Sequence, residues 1–435
     1  MSFPRYPQYK DSGVDWLGQV PAHWEVKPAK RALNRRKELN AGMKCENRLA
    51  LTMNGVVPRD LDDLDGLQAS EFETYQIFER DDLAFKLIDL QNIKTSRVGI
   101  VPEQGIMSPA YIRLQPDAQK VVPRYGYWFF TNLYNLCVFN ELGGGVRQTL
   151  GPEELLMLAV SLPPLPEQRE IAGFLDRETA QIDALVAEQE RLLELLKEKR
   201  QAVISHAVTK GLNPNAPLKP SGLAWLGDVP AHWEVVRLKN LASERLAYGA
   251  NESAEDDNPE NPRFIRITDI ADDGSLKADT FKSLPPEIAE PYLLQDGDLL
   301  LARSGATVGK STVYRPEWGR CCYAGYLIRM RCDLRHTTPA WINLFTQSAP
   351  YWAQIGEGTI QATIQNFSGE KYGDMKVPLP PLSEQRAIVA HLDAATAQFD
   401  ALTAAVERAL ALLQERRTAL ISAAVTGQID VRAAT

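Results

Sequence analysis

The sequence is poor in the residues from which metal centres and disulfide frameworks are built. Its 435 residues hold five cysteines, Cys45, Cys137, Cys321, Cys322 and Cys332, with no Cys-x-x-Cys pair, and five histidines. That leaves no zinc-ligand spacing and no disulfide scaffold, and the thiols are expected to be reduced. Long hydrophobic runs are also missing: none approaches the roughly 18 apolar residues of a membrane span. The opening Met-Ser-Phe-Pro-Arg-Tyr-Pro has no apolar core of signal-peptide length, so a soluble, cytoplasmic chain is expected. There is no basic excess either. Lys and Arg number 48 against 56 Asp and Glu, a formal charge of −8, which on its face speaks against a polyanionic partner. With 44% hydrophobic residues, 28 Gly and 28 Pro, wholesale disorder and collagen-like repetition are excluded.

What the chain does have is internal repetition. The stretch from Ser12 to Val26 returns from Ser221 to Val235, and most positions of the Trp-Leu-Gly-x-Val-Pro-Ala-His-Trp motif (Trp16–Trp24, Trp225–Trp233) are identical. A second repeat pairs Leu162-Pro163-Pro164-Leu165-Pro166-Glu167-Gln168-Arg169 with Leu379-Pro380-Pro381-Leu382-Ser383-Glu384-Gln385-Arg386. Between these constant parts lie variable blocks, 27–161 and 236–378, with only fragments of likeness, such as Val146–Leu150 against Thr363–Phe367. A period this long is a duplicated domain and not a solenoid of short units.

Each second repeat opens a long helix. A Pro-Pro-Leu stop precedes it, Pro166 or Ser383 suits its first turn, and Gly211 or Gly427 suits its end. Sampled at alternating spacings of four and three, the later helix reads Ile388, Leu392, Ala395, Phe399, Leu402, Val406, Ala409, Leu413, Arg416 and Leu420, and the earlier one has a similar seam from Ile171 to Val203. Such seams predict coiled-coil packing of the two helices, antiparallel about a pseudo-two-fold axis. The fold class expected is α+β: two mixed α/β domains separated by two long antiparallel helices. The expected divisions are 1–161 for the first head, 162–211 for the central helix, 212–378 for the second head and 379–435 for the C-terminal helix.

The heads read as strands, such as Arg263–Thr268 and Asp298–Ala302, with helices near Tyr125–Phe139 and Pro339–Gln354. Motifs for catalysis fail on inspection. Ser304-Gly305-Ala306-Thr307-Val308-Gly309-Lys310-Ser311 resembles a phosphate-binding loop, but a strand-like run follows where a helix is required. Ser108-Pro109-Ala110-Tyr111 nearly matches an amino-methyltransferase signature without a methyl-donor loop beside it, and Gly143-Gly144-Gly145 lacks dinucleotide spacing. His23 and His232 recur in both constant parts with no carboxylate or cysteine constellation in sequence, which suits packing and hydrogen bonding. Local charge is more telling than the total. Residues 299–332 carry Arg303, Lys310, Arg315, Arg320, Arg329 and Arg331 against Glu317 alone, and 90–140 carry Lys94, Arg97, Arg113, Lys120 and Arg124 against Glu103 and Asp117. Basic stretches interleaved with aromatics suit phosphate contact and base reading.

The doubled order of the Trp-Leu-Gly-x-Val-Pro-x-His-Trp motif and the Leu-Pro-Pro-Leu-x-Glu-Gln-Arg helix opening, with Asp296–Lys310 in the second head, resembles the specificity subunit of type I restriction-modification systems. The resemblance covers nearly the whole chain. It implies a non-catalytic DNA-binding subunit with two target recognition domains, each reading one half of a split, asymmetric double-stranded site, and with the long helices setting the gap. It further implies two modification subunits that methylate adenine, and restriction subunits that translocate and cleave. The chain itself would hold no cofactor; S-adenosylmethionine, ATP and Mg would belong to those partners. DNA contacts are expected at Lys94, Arg97, Arg113, Arg147 and Gln148 in the first head, and at Arg303, Ser304, Thr307, Lys310, Gln361, Thr363 and Gln365 in the second. Partner contacts are expected at Glu167, Gln168, Arg169, Glu384, Gln385 and Arg386. A protein-only coiled-coil adaptor and a self-contained DNA methyltransferase or nuclease are the alternatives.

Overall fold

A computed structural model describes residues 3–52, 55–62, 71–88, 90, 98–142, 149–271, 274–359 and 366–433. The chain packs as two compact units: residues 1–189 with 407–435, and residues 190–406. Both boundaries fall inside the long helices, Leu165–Lys210 and Leu382–Val425, instead of at their ends. The reason is that each half-helix buries its apolar face on one head.

In the first unit, Ile171, Leu175 and Ile182 join Leu420, Ile421 and Val425 in one core with Leu83, Phe85, Phe129, Phe130 and Leu133 of the head. Burying each such side chain contributes about 1.5–3 kcal/mol. Within this unit the two half-helices run in opposite directions: Ser161 Oγ, just before the first helix, donates to the Val425 carbonyl at the end of the second, and farther along Arg417 pairs with Asp183 at 2.8 Å. In the second unit, Ile204, Val208, Ile388 and Leu392 share a core with Trp233, Leu299, Trp341 and Phe345. There Arg200 pairs with Asp400. The seam is less continuous than its spacing suggests: Leu185, Leu192 and Leu402 are exposed. The helices end where the glycines placed them. Gly211 and Gly427 take φ of 71° and 74°, a conformation costly for any residue with a Cβ.

The heads share a plan. In the first, an antiparallel sheet has the order Leu33–Arg35, Ile112–Pro116, Leu83–Phe85, Val98–Ile100; in the second the order is Ala247–Tyr248, Leu327–Met330, Leu299–Ala302, Ser311–Val313. Each unit also has a parallel pair, Arg48–Thr52 with Gly105–Met107 in the first and Arg263–Ile265 with Cys321–Tyr323 in the second. The repeated motif ends in a strand that pairs with the one leading into the long helix: Glu25–Pro28 with Ala159–Leu162, and Glu234–Arg237 with Lys376–Leu379. The expected helices are present as Pro123–Asn135 with Val138–Leu142, and Pro339–Thr346 with Ala349–Thr359. Among the described residues, no helix is long and apolar enough to cross a membrane.

Candidate nucleic-acid interface

The central strand of each head sheet begins at a buried aspartate. Asp82 accepts the Glu79 N–H at 2.7 Å, and Asp298 accepts the Gln295 N–H at 2.8 Å, across four-residue turns whose third residue, Asp81 or Gly297, has positive φ. Each aspartate holds an arginine of the neighbouring strand. Asp82 pairs with Arg113, and Asp298 takes two bonds from Arg331, at 2.8 Å each. Burial pushes the Asp82 carboxyl above its ordinary value, against the pull of Arg113, while the Asp298 hydrogen bonds raise the Arg331 guanidinium. These are internal struts. Arg113, expected at a DNA contact, is only 4% exposed and also donates to the Ile77 carbonyl, so it has no surface to offer a phosphate.

From the central strand the chain turns back as a hairpin. In the second unit the turn is 303–310, between Leu299–Ala302 and Ser311–Val313. It is pinned at its base: the Tyr372 hydroxyl donates to the Ala302 carbonyl at 2.6 Å and accepts the Gly309 N–H, and the Tyr351 hydroxyl donates to the Gly309 carbonyl. Burial pushes the Tyr372 hydroxyl up to about 12, so it stays a neutral donor. A strand and not a helix follows Lys310, which removes the geometry of a phosphate-binding loop of the nucleotide-hydrolysing type. Arg303, Ser304, Thr307 and Lys310 are all partly exposed along this turn. The corresponding turn of the first unit joins Leu83–Phe85 to Val98–Ile100; Lys94 and Arg97 belong to it and lie outside the described residues.

A second segment meets each turn. The Phe367 N–H bonds the Arg303 carbonyl at 2.8 Å, and the Leu150 N–H bonds the Leu87 carbonyl at 3.0 Å, so the fragment likeness seen in sequence marks equivalent places. Gln361, Thr363 and Gln365 precede Phe367, and Arg147 and Gln148 precede Leu150; all five lie outside the described residues. Near Leu150 the first unit has a cleft of about 240 Å³ lined by Arg35, Arg36, Lys37, Tyr111 and Thr149. This Arg-Arg-Lys run was passed over in sequence, although three consecutive cations at a strand end are a legible signal. Arg35 is held by Glu153 and Arg36 by Gln115.

The local positive charge of the second head is largely neutralised, mostly by acids that lie outside the stretch 299–332. Arg329 pairs with Glu244 at 2.7 Å, Arg331 with Asp298 and Glu244, Arg320 with Glu290 at 3.7 Å and Arg315 with Glu317 at 3.9 Å. In the first head, Lys120 pairs with Asp117 and Arg124 with Asp176.

Glu167, Gln168 and Gln385 at the helix openings are internal anchors, which corrects the expectation of partner contacts at those three residues. Glu167 is 4% exposed and accepts the Trp24 Nε1–H at 3.0 Å, with His23 at 2.8 Å. Glu384 is half-buried and faces His232 at 2.7 Å. Gln168 and Gln385 are fully buried. The first accepts the Val122 N–H and donates to the Lys120 and Pro163 carbonyls; the second accepts the Thr338 N–H and Thr337 hydroxyl and donates to the His336 and Pro380 carbonyls. Groups enclosed in this way cannot also meet another subunit. Arg169 and Arg386 are exposed.

Residues 66–195 match the family model described as the type I restriction modification DNA specificity domain. Among curated proteins, the chain is 25% identical over 339 residues to the type I restriction enzyme EcoBI specificity subunit of Escherichia coli, covering 76% of this chain and 70% of the relative. It is 20% identical over 430 residues to the putative type I restriction enzyme MjaX specificity subunit of Methanocaldococcus jannaschii, covering 96% of each. Among solved structures, a chain from work on complex assembly and conformational transition of the type I R-M system shares the fold with a TM-score of 0.69 at 17% identity, over 93% of this chain and 98% of that one. The HsdS subunit from Thermoanaerobacter tengcongensis gives 0.50 at 17% identity, over 94% and 98%. In sequence and in fold the chain is similar to specificity subunits of type I restriction-modification systems.

Proposed function

We propose that the chain recognises a two-part double-stranded DNA site, each unit reading one half, and directs adenine methylation and restriction by separate subunits while catalysing nothing itself. The observation that carries this reading is the pair of like-built hairpins, one per unit, each crossed by a second variable segment at the same backbone position. Constant frames holding different turns suit two half-sites of different sequence. The contacts proposed are Arg303, Ser304, Thr307, Lys310, Gln361, Thr363 and Gln365 in the second unit, and Lys94, Arg97, Arg147 and Gln148, with Arg36 and Lys37, in the first.

The long helices, 46 and 44 residues, correspond at about 1.5 Å per residue to roughly 65–70 Å each, and in this reading they set the gap between half-sites. Exposed Arg169 and Arg386 are the remaining candidates at the helix openings for contact with modification subunits. S-adenosylmethionine, ATP and Mg would be held by the partners. Mapping methylated adenines in host DNA by single-molecule sequencing tests the whole reading. A split motif that disappears when this chain is deleted is the expected result, and a contiguous motif, or one that survives deletion, refutes it. Inserting a heptad pair into both helices should lengthen the gap and leave the half-sites alone; an altered half-site would remove the spacer role.

A further inference from the structure

Arg303 differs from the paired arginines of its head, Arg315, Arg320, Arg329 and Arg331. No carbonyl or carboxylate among the described residues accepts a proton from its guanidinium, and its Nε is buried with no hydrogen-bond partner. The main chain leaves it little freedom, because its N–H donates to the Tyr326 carbonyl and its own carbonyl accepts from Phe367. The guanidinium carbon lies over the Tyr248 ring, 4.8 Å from the centroid. That ring is fixed in turn: its strand pairs with Leu327–Met330, and its hydroxyl accepts the Gly369 N–H at 2.9 Å. A charge that is partly desolvated, stacked and without an acceptor is held ready for an anion, since stacking satisfies the face of a guanidinium but none of its N–H groups.

We propose that Arg303 laid over Tyr248 is a preformed phosphate-binding site on the DNA face of the second unit, with Tyr248 as its positioning residue. The proposal rests on the DNA-recognition reading above. A backbone phosphate suits it better than a base edge. The side chain is held flat against the protein surface, whereas the floor of the major groove lies about 8.5 Å deep. The nearby turn is open, with nothing near the place where a Cβ of Gly305 would stand. The arginine has no counterpart at the equivalent place in the first unit: the residue whose carbonyl accepts the corresponding bond there is Leu87, 1% exposed.

The test uses the full chain assembled with its modification subunits. Duplexes are selected from a random library, and affinity is then measured against salt. Arg303→Ala should select the same motif as wild type, bind it roughly tenfold or more weakly, and show a log K against log salt slope shallower by about 0.9. Tyr248→Leu should weaken binding with the slope unchanged, because the charge remains, while Tyr248→Phe, which keeps the ring and loses only the Gly369 bond, should weaken it less. Melting temperatures of Arg303→Ala and Arg303→Lys should match wild type, since no protein acceptor is lost. An unchanged slope for Arg303→Ala, or a fall in its melting temperature, overturns the site. Relaxed selection at one base position makes Arg303 a base reader and overturns the phosphate assignment. A wild-type complex that binds all duplexes alike, with the slope change intact, overturns the two-part recognition reading and supports this site.

Discussion

Arg113 separates a structural role from an interface role in one experiment. Its partner Asp82 is 1% exposed, and after Arg113→Met that carboxylate keeps only the Glu79 N–H, while the Ile77 carbonyl loses its donor. Breaking a buried ion pair from one side costs about 3–5 kcal/mol, and the stranded carbonyl sits within that range. At roughly 2–4 °C per kcal/mol for a unit of this size, the first unit should melt about 6–20 °C lower. Because the chain has two units, hydrogen exchange followed by mass spectrometry should locate the loss in Leu83–Phe85 and Ile112–Pro116. The defect should also depend on pH. Burial already raises the Asp82 carboxyl, and without Arg113 only the Glu79 N–H opposes that shift. A group raised in the folded state stabilises below its unfolded value and loses that contribution as pH rises through the folded one, so the variant should be weaker at pH 8 than at pH 5. Asp82→Leu combined with Arg113→Met should restore most of the stability. If Arg113→Met melts and exchanges like wild type but binds DNA more weakly with a shallower salt slope, the strut assignment is wrong and the residue faces DNA.

Three further outcomes follow from the frame. Trp24→Phe removes a donor to the buried Glu167 carboxylate, whereas Trp233 Nε1 has no partner to lose; urea unfolding should show Trp24→Phe costing about 1.5–3 kcal/mol and Trp233→Phe much less. Gln385→Leu strands two acceptor carbonyls, a backbone N–H and a hydroxyl in the second unit, and protease nicking near His336–Thr338 should rise, with the first unit unaffected. Hydrogen bonding to Arg432 holds the Asp430 carboxyl below the usual carboxylate range, so its contribution is complete above the ordinary value and is lost as pH falls through the lowered one. An acid melting profile should therefore lose part of its low-pH decline in Asp430→Asn.

The repeats, the helix limits and the central strand Leu299–Ala302 were legible because each follows from local chemistry: proline and glycine placement, apolar spacing, and a β-branched or leucine-rich run beside a Gly turn. Charge was legible only in part. Counting along residues 299–332 finds a single acid, but the window opens just past Asp298 and Glu290, which pair with Arg331 and Arg320, and Glu244, which pairs with Arg329, lies 85 residues from it. For the same reason Arg113 read as a surface cation, while Asp82, its partner, lies thirty-one residues earlier. Glu167, Gln168 and Gln385 read as surface residues because polar side chains at a helix start are ordinarily capping or solvated. What encloses them lies more than forty residues away: the Trp24 and His23 side chains around Glu167, and backbone around the two glutamines.

That enclosure bears on how one frame can carry two unlike heads. Gln168 bonds only main-chain atoms, and Gln385 bonds main-chain atoms and the hydroxyl of Thr337. A glutamine that reads backbone N–H and carbonyl groups is indifferent to the side chains those residues carry. It requires only that a helix begin at Pro123 or Pro339 and that the chain approach it along the same path. The turns are fixed by the same device: Tyr372 and Tyr351 hold the base of 303–310 through Ala302 and Gly309 main-chain atoms, and Phe367 and Leu150 join their turns by backbone bonds. Within 303–310 Val308 is buried in the core, but the side chains of Arg303 and Ser304 are partly exposed and take no part in those backbone bonds. Substitutions there should change what is bound while leaving melting unchanged, and substitutions at Gln168 or Gln385 should do the reverse.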